Sequence, residues 1–229
     1  MCGRFTLRTP LSVLIEQFEL PAESQRLLFD PRYNIAPTQE VLAIRQRRES
    51  ARRELVPMRW GLVPAWSKAP TSGRPLINAR ADTLANKPTF RTAYRRRRCL
   101  IPADGFYEWH KVGSRKQPYL IHQRDNRPFA FAGLWEHWEK GPIIESCTII
   151  TTDANAALRE LHDRMPVVIS PGDYEQWLDP AIDDPAELQH LLAPCGEDVF
   201  CAQPHDQPLE LDASPIIRRV VPLHGEIGR

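Results

Sequence analysis

The sequence predicts an α+β protein: a single domain whose core is a curved, barrel-like, mostly antiparallel sheet flanked by helices. Three observations predict it. Short apolar, β-branched or aromatic runs crowd the middle of the chain, several of them divided by Gly, Pro, Asp or Asn. Helical patterns frame these runs instead of alternating with them, which separates α+β from a doubly wound α/β fold. The 22 prolines are spread along the 229 residues, so no linker divides the chain into two units.

The elements follow in order. Thr9-Pro10 before LSVLIEQFEL (11–20) reads as a capped amphipathic helix, because Pro is tolerated in a first turn. VLAIRQ (41–46) and ELVPMRWG (54–61) read as paired strands across the polar turn RRESAR (47–52). ADTLANKPTFRTAYRRRR (81–98) is helical in part and broken near Pro88. RCLIPA, FYEWH, QPYLIHQ, RPFAFAGLW and IIESCTIITT, between 98 and 152, read as strands. The last third returns to helix in DANAALREL, SPGDYEQWL and DPAELQHLLA, the latter two opened by Ser-Pro and Asp-Pro.

Composition excludes several classes. Hydrophobic residues make up 42% and charged residues 26%, the balance of a folded globular chain. Thirty Lys+Arg against 29 Asp+Glu leave a net charge of +1, so only local clustering can argue for nucleic acid. No apolar run is long enough to span a bilayer or to act as a secretion signal, and a cytoplasmic location is expected. Five cysteines, an odd number without a C-x-x-C pair, argue against a disulfide framework. His190, Cys195, Cys201 and His205 fit no standard zinc spacing, and no metal is expected.

The start of the chain, MCGRF, raises the chemical question. Once Met1 is removed, Cys2 carries an α-amine and a thiol on adjacent carbons, with reference pKa values near ~7.7–8.0 and ~8.5. No interior cysteine offers that pair. Read alone, Cys2 is equally an ordinary second residue.

Four other stretches concentrate chemistry. RYNIAPTQ (32–39) puts a Pro37-containing turn after a polar Asn. PLINARADT (75–83) places Asn78 and Arg80 on one side of an extended segment, where Arg80 holds either a phosphate or a surface carboxylate. IPADGFYEWHK (101–111) sets Glu108 among Phe106, Tyr107 and Trp109, a desolvated setting suited to proton transfer if the carboxylate faces inward. LHDRMPVVIS (161–170) sets His162 beside Asp163 and Arg164 at a junction of elements, a proton carrier or a structural histidine.

In order and spacing, MCGRF, RYNIAPTQ, WGLVPAW, INARADT, RCLIPADGFYEW and LHDRMPVV resemble the SOS-response-associated peptidase (SRAP) family of abasic-site processing proteins. The resemblance runs from Cys2 to about Leu178. From about residue 203 the tail, ending HDQPLELDASPIIRRVVPLHGEIGR, departs from the family's pattern. It implies the SRAP fold over 1–229 and a sensor of abasic sites in single-stranded DNA. Cys2 would be the nucleophile after Met1 is lost, by self-cleavage in the reading the family name suggests, and would close a thiazolidine on the ring-opened sugar. Asn78 would orient Cys2, Glu108 would shuttle protons, and His162 would protonate the departing sugar oxygen. Arg4, Pro37, Trp66, Arg80, Phe106 and Trp109 would bind DNA by charge and stacking. The run RRRR (95–98) is either further positive charge for DNA or a solvated helix end. No cofactor is required, and a monomer working at the bacterial nucleoid is expected. Two alternatives stay open: a glutamine amidotransferase, which also starts Met-Cys-Gly, and a non-catalytic single-strand-binding module.

Overall fold

The computed structural model describes residues 2–50, 52–70, 74–206, Leu209 and 218–219. Met1 and most of the divergent tail therefore lie outside the described residues, with the expectations attached to them. The described elements are β1 (Phe5–Leu7), α1 (Leu11–Gln17), β2 (Leu27–Leu28), β3 (Arg32–Ile35), β4 (Glu40–Gln46), β5 (Arg53–Trp60) and β6 (Asn78–Arg80). Then come α2 (Arg91–Arg96), β7 (Arg98–Ala103), β8 (Gly105–Val112), β9 (Arg115–Gln123), β10 (Phe129–Trp138) and β11 (Ile144–Asp153). The chain continues through α3 (Ala156–Arg159), β12 (Arg164–Pro166), β13 (Val168–Ile169), α4 (Tyr174–Leu178), β14 (Phe200–Pro204) and β15 (Arg218–Arg219). The outermost pair, β15 with β2, forms a small separate ladder.

The expected barrel is present. Strands β5, β4, β7, β10 and β11 pair in that order, and β11 returns to pair with β5, closing the ring. All contacts in the ring are antiparallel except β5 with β11. Closure brings strands close at Gly133, which faces Cys99 on β7 and Ile149 on β11. A Cβ there would come within 2.8 Å of the Cys99 sulfur, so glycine is required. After β5 the chain leaves the wall at Gly61, whose φ of 134° disfavours a side chain, and it re-enters as β6 beside the same strand β11. The excursion over 61–77 is thus an insertion in the barrel wall.

A second, antiparallel sheet in the order β14-β9-β8-β1-β3 packs onto the barrel. The seam is aromatic. Phe5 meets Trp60 at 5.2 Å and Phe131 at 5.7 Å, and Phe106 meets Phe131 at 6.0 Å and Phe200 at 5.9 Å, all edge to face. This arrangement suits ring quadrupoles and buries large apolar area between the sheets. Buried Asp104, between β7 and β8, accepts from the backbone N–H groups of Arg8 and Thr9 and from the Thr9 hydroxyl. Thr9 therefore clamps β1 to the barrel instead of capping α1, and Pro10 occupies the cap position.

Two expectations change. RYNI, the stretch before the expected Pro37 turn, is strand β3, because Arg32 and Asn34 turn inward while Tyr33 turns out. The last third holds shorter helices than expected: α3 has 4 residues, α4 has 5, and 185–192 is a 3-10 helix. Prolines set the ends of the latter two, since Pro180 forces extended backbone at Asp179 and Pro194 does the same at Ala193. The cap of α3 is Asn155, whose side chain accepts from the Leu158 N–H at 3.1 Å.

Candidate active site

Cys2 lies just before β1, whose pairing with β8 runs Phe5 opposite Phe106 and Thr6 opposite Gly105. The Tyr107 N–H donates to the Arg4 carbonyl at 2.9 Å, so the ladder continues toward the N-terminus and brings Cys2 alongside the Glu108–Trp109 stretch. Cys2 is fully buried. Burial pushes its thiol well above the ordinary range, the Glu108 carboxylate pushes it further, and a hydrogen bond from the Arg4 backbone N–H opposes both. The thiol is therefore held protonated, with the Glu108 carboxylate beside it.

Period-two geometry puts Tyr107, itself 3% exposed, and Trp109 on the face of β8 opposite Phe106 and Glu108. Phe106 and Glu108 share the inner face, 1% and 4% exposed, while Trp109 is half-buried on the other. Glu108 faces inward, the orientation that proton transfer requires. Phe106 is corrected: its ring is enclosed by Phe131 and Phe200 and offers no face to a base.

Asn78 opens β6 and reaches across to the N-terminus. Its Nδ2 donates to the Cys2 carbonyl at 2.9 Å, while its buried Oδ1 has no donor among the described residues. Arg4 is held by an Nη1 hydrogen bond to Asn34 Oδ1 at 3.0 Å. Asn34 is a residue that sequence reasoning left without a role. Its signal was its place in RYNIAPTQ. The same motif builds a tight turn: the Gln39 N–H returns to the Ala36 carbonyl, with Pro37 at its second position and Thr38 at φ 73°. A β-branched residue at positive φ stores strain, and here the Thr38 N–H is fixed by the Trp60 carbonyl at 2.7 Å. Pro37 is half-buried on this turn.

His162 sits in the turn between α3 and β12, half-buried. Its Nδ1 is 2.6 Å from Asp163 Oδ1 and 3.0 Å from the Arg164 N–H. Nδ1 carries a proton to satisfy the carboxylate or a lone pair to satisfy the N–H, so the ring's protonation state decides which bond forms. Strands β12 and β6 flank the same stretch of β11, for Thr151 pairs with Pro166 on one side and Arg80 on the other. Direct contacts and charge thus unite Cys2, Arg4, Asn78 and Glu108. His162 lies at the same end of β11, with its bonds inside its own turn.

The DNA-binding candidates divide. Trp66 stands 64% exposed on the 61–77 excursion, which hydrogen bonds hold to the barrel. Val63 N–H donates to Ser146 Oγ, Trp138 Nε1–H to the Ser67 carbonyl and Lys140 Nζ to the Trp66 carbonyl, each at 2.9 Å. Tyr33, 58% exposed on β3, is a second free aromatic face that sequence reasoning passed over. Arg80 is exposed, but its guanidinium forms a bidentate pair with Asp82 at 3.1 and 2.5 Å, which raises its pKa. The surface-carboxylate alternative holds at Arg80 in this structure. In RRRR, Arg98 is buried and donates to the carbonyls of Tyr94, Arg95, Trp177 and Asp179. It closes the end of α2, and burial lowers its pKa to about 10. Arg97 pairs with Glu136 at 2.7 Å and Arg96 with Asp183 at 3.6 Å. Among the described residues no group of three or more His, Cys, Asp or Glu side chains is placed to hold a metal, and no helix is long and apolar enough to cross a membrane.

Comparison with known proteins places this geometry. The family model for the SOS response associated peptidase (SRAP) matches residues 1–207. The abasic site processing protein YoaM of Bacillus subtilis is 42% identical over 201 residues, covering 86% of this chain and 88% of that protein. The abasic site processing protein YedK of Escherichia coli is 36% identical over 187 residues, covering 78% of this chain and 79% of that protein. Among solved structures, a protein from Bacteroides thetaiotaomicron superposes with a TM-score of 0.78 at 28% identity, covering 89% of this chain and 91% of that one.

Proposed function

This chain belongs to the SOS response associated peptidase family, and from that premise we propose that it recognises abasic sites in single-stranded DNA and captures them covalently through Cys2 once Met1 is gone. Membership sets aside the amidotransferase reading, which rested on the Met-Cys-Gly start alone. The observation that carries the proposal is the convergence on one residue: Cys2 is gripped through its carbonyl by Asn78 and faces the charge of Glu108.

The chemistry follows from the groups. A ring-opened abasic deoxyribose presents an aldehyde. The Cys2 α-amine adds to that carbon and the carbinolamine loses water, giving a Schiff base. The sulfur then adds to the same carbon, its proton passes to the former imine nitrogen, and a five-membered thiazolidine closes. Aldehyde plus aminothiol yields thiazolidine plus one water. The second attack is intramolecular, so proximity favours it strongly. Glu108 takes the thiol proton and returns it to nitrogen, and the same carboxylate serves the reverse reaction. Asn78 Oδ1, buried and without a donor among the described residues, accepts from the Cys2 amine or a sugar hydroxyl. His162 supplies the proton that the departing sugar oxygen needs during ring opening. Exposed Trp66 and half-buried Trp109 offer stacking faces for bases on either side of the lesion, a mode open to single strands and closed to stacked duplex.

Before processing, the α-nitrogen of Cys2 is an amide and cannot form the Schiff base, so removal of Met1 is a precondition of capture. In this reading the Cys2 thiol assists hydrolysis of the Met1–Cys2 bond in the chain itself, water supplying the new carboxylate and free Met leaving. The proposal is tested with Cys2→Ser, which keeps the amine and loses the thiol. This variant should form only a Schiff base, trapped by borohydride and lost without it. Equally stable adducts from Cys2→Ser would exclude the thiazolidine.

A further inference from the structure

We propose that the end of the barrel remote from Cys2 carries a second site, which binds a phosphate-bearing anion. Two arginine-rich runs distant in sequence, RQRR (45–48) and RRRR (95–98), converge there. Arg47, Arg48, Arg96 and Arg97 line a concavity of ≈ 340 Å³ together with Trp135, and Glu49 is the acidic residue among those lining it. Clefts of this size take a phosphate with a sugar or base attached.

Carboxylates outside the concavity orient three of the arginines. Arg47 pairs with Glu54 at 3.3 Å, Arg96 with Asp183 at 3.6 Å and Arg97 with Glu136 at 2.7 Å. Each guanidinium has five N–H donors, so these pairs leave donors to spare. Arg48 has no ion pair among the described residues. Two donors on lining residues are buried and lack an acceptor among the described residues: Arg97 Nε and Trp135 Nε1. Trp135 is 8% exposed, with the Arg45 guanidinium covering its ring at 4.4 Å. A buried N–H without an acceptor is penalised for lost solvation, and an incoming oxyanion removes the penalty. Several guanidinium forks around one space match the oxygens of a phosphate better than a single carboxylate.

The site is separate from the lesion pocket. Strand β4 starts at Glu40, next to the Pro37 turn, and ends at Gln46 in the concavity; at ~3.4 Å per residue it spans ~20 Å. The ligand's chemistry is thus a phosphate held away from Cys2, supplied by the backbone of a nucleic acid strand or by a free phosphate ester.

Heteronuclear NMR of the full chain tests this by following the Trp135 indole N–H, assigned with Trp135→Phe. The protein is titrated with inorganic pyrophosphate, with a nucleoside triphosphate and with undamaged single-stranded DNA. The indole proton should move downfield and saturate, and Arg48→Gln with Arg96→Gln should weaken the binding by about tenfold or more. Saturation by the small phosphates alone identifies a free ester, and saturation by DNA at lower concentration identifies a strand. Both support the site. An indole signal unmoved by all three, or moved at the same concentrations in the double variant, overturns it. No arm uses Cys2 or an abasic site, so failure here and failure of the capture reading are separate results.

Discussion

Replacing Glu108 with Gln should slow cross-linking while making the Cys2 thiol easier to ionise, and these opposed effects make it the sharpest test of roles inside the site. The carboxylate is buried on the inner face of β8; burial is the main reason the Cys2 thiol stays protonated, and the Glu108 charge adds to it. The amide keeps the shape and the hydrogen bonding but removes that charge. The thiol therefore loses its proton at lower pH in Glu108→Gln. If thiolate population limited the reaction, the variant would be faster. If Glu108 instead carries protons between sulfur, nitrogen and sugar, the variant is slower by ~10²–10⁴. That range corresponds to about 3–5 kcal/mol of barrier, far above any small folding effect. The assay is single-turnover cross-linking at saturating abasic single-stranded DNA, resolved on denaturing gels, beside a pH titration of thiolate absorbance. A variant that cross-links at the parental rate or faster, with its thiol titrating lower, would refute the proton-carrier assignment.

The burial pattern carries three more expected outcomes. Cys2, Cys99 and Cys147 are fully buried, and burial raises all three thiols, so the folded protein keeps protons that the unfolded chain releases above ~8.5. The thiols' contribution to stability should therefore be constant below that pH and fall above it by up to ~1.4 kcal/mol per pH unit for each thiol, seen as a urea midpoint dropping between pH 8 and 10; a constant midpoint over that range would contradict the burial. Phe106→Ala should cost about 3–5 kcal/mol of stability, read by urea unfolding, because it empties the aromatic seam. Trp66→Ala should leave that midpoint nearly unchanged but cost ~1–3 kcal/mol in affinity for undamaged single strands. A reversed pattern, with Trp66 stabilising the fold and Phe106 binding DNA, would contradict the placement of these rings.

Much of the barrel was legible because strand chemistry is local. Runs such as RPFAFAGLW and IIESCTIITT carry β-branched and aromatic residues between turn signals, and they became β10 and β11. Closure was not legible, since it depends on the return of β11 to β5 and on a glycine whose tolerance is set by Cys99 on a neighbouring strand. Within the site, Cys2, Asn78 and Glu108 were marked by residue type and motif, and the contacts join them. Phe106 was assigned to DNA beside Trp109, although residues three apart on a strand face opposite ways; alternation, applied strictly, places Phe106 with Glu108 on the buried face. At Arg80 the competing partner was two residues away in sequence, and the pair with Asp82 formed. The run RRRR divides between different environments. Arg98 fills carbonyls at a helix end while Arg96 and Arg97 join a cleft with the 47–48 turn, and only tertiary structure separates them.

Residue 2 itself, freed of Met1, is the proposed covalent link. Intact mass spectrometry after mixing the full-length protein with an abasic single strand, followed by peptide mapping of the adduct, measures it most directly. The account predicts a species equal to the protein without Met1 plus the DNA minus one water, mapped to Cys2 and stable without borohydride. An adduct that retains Met1, or one mapped to a lysine or another cysteine, would contradict it.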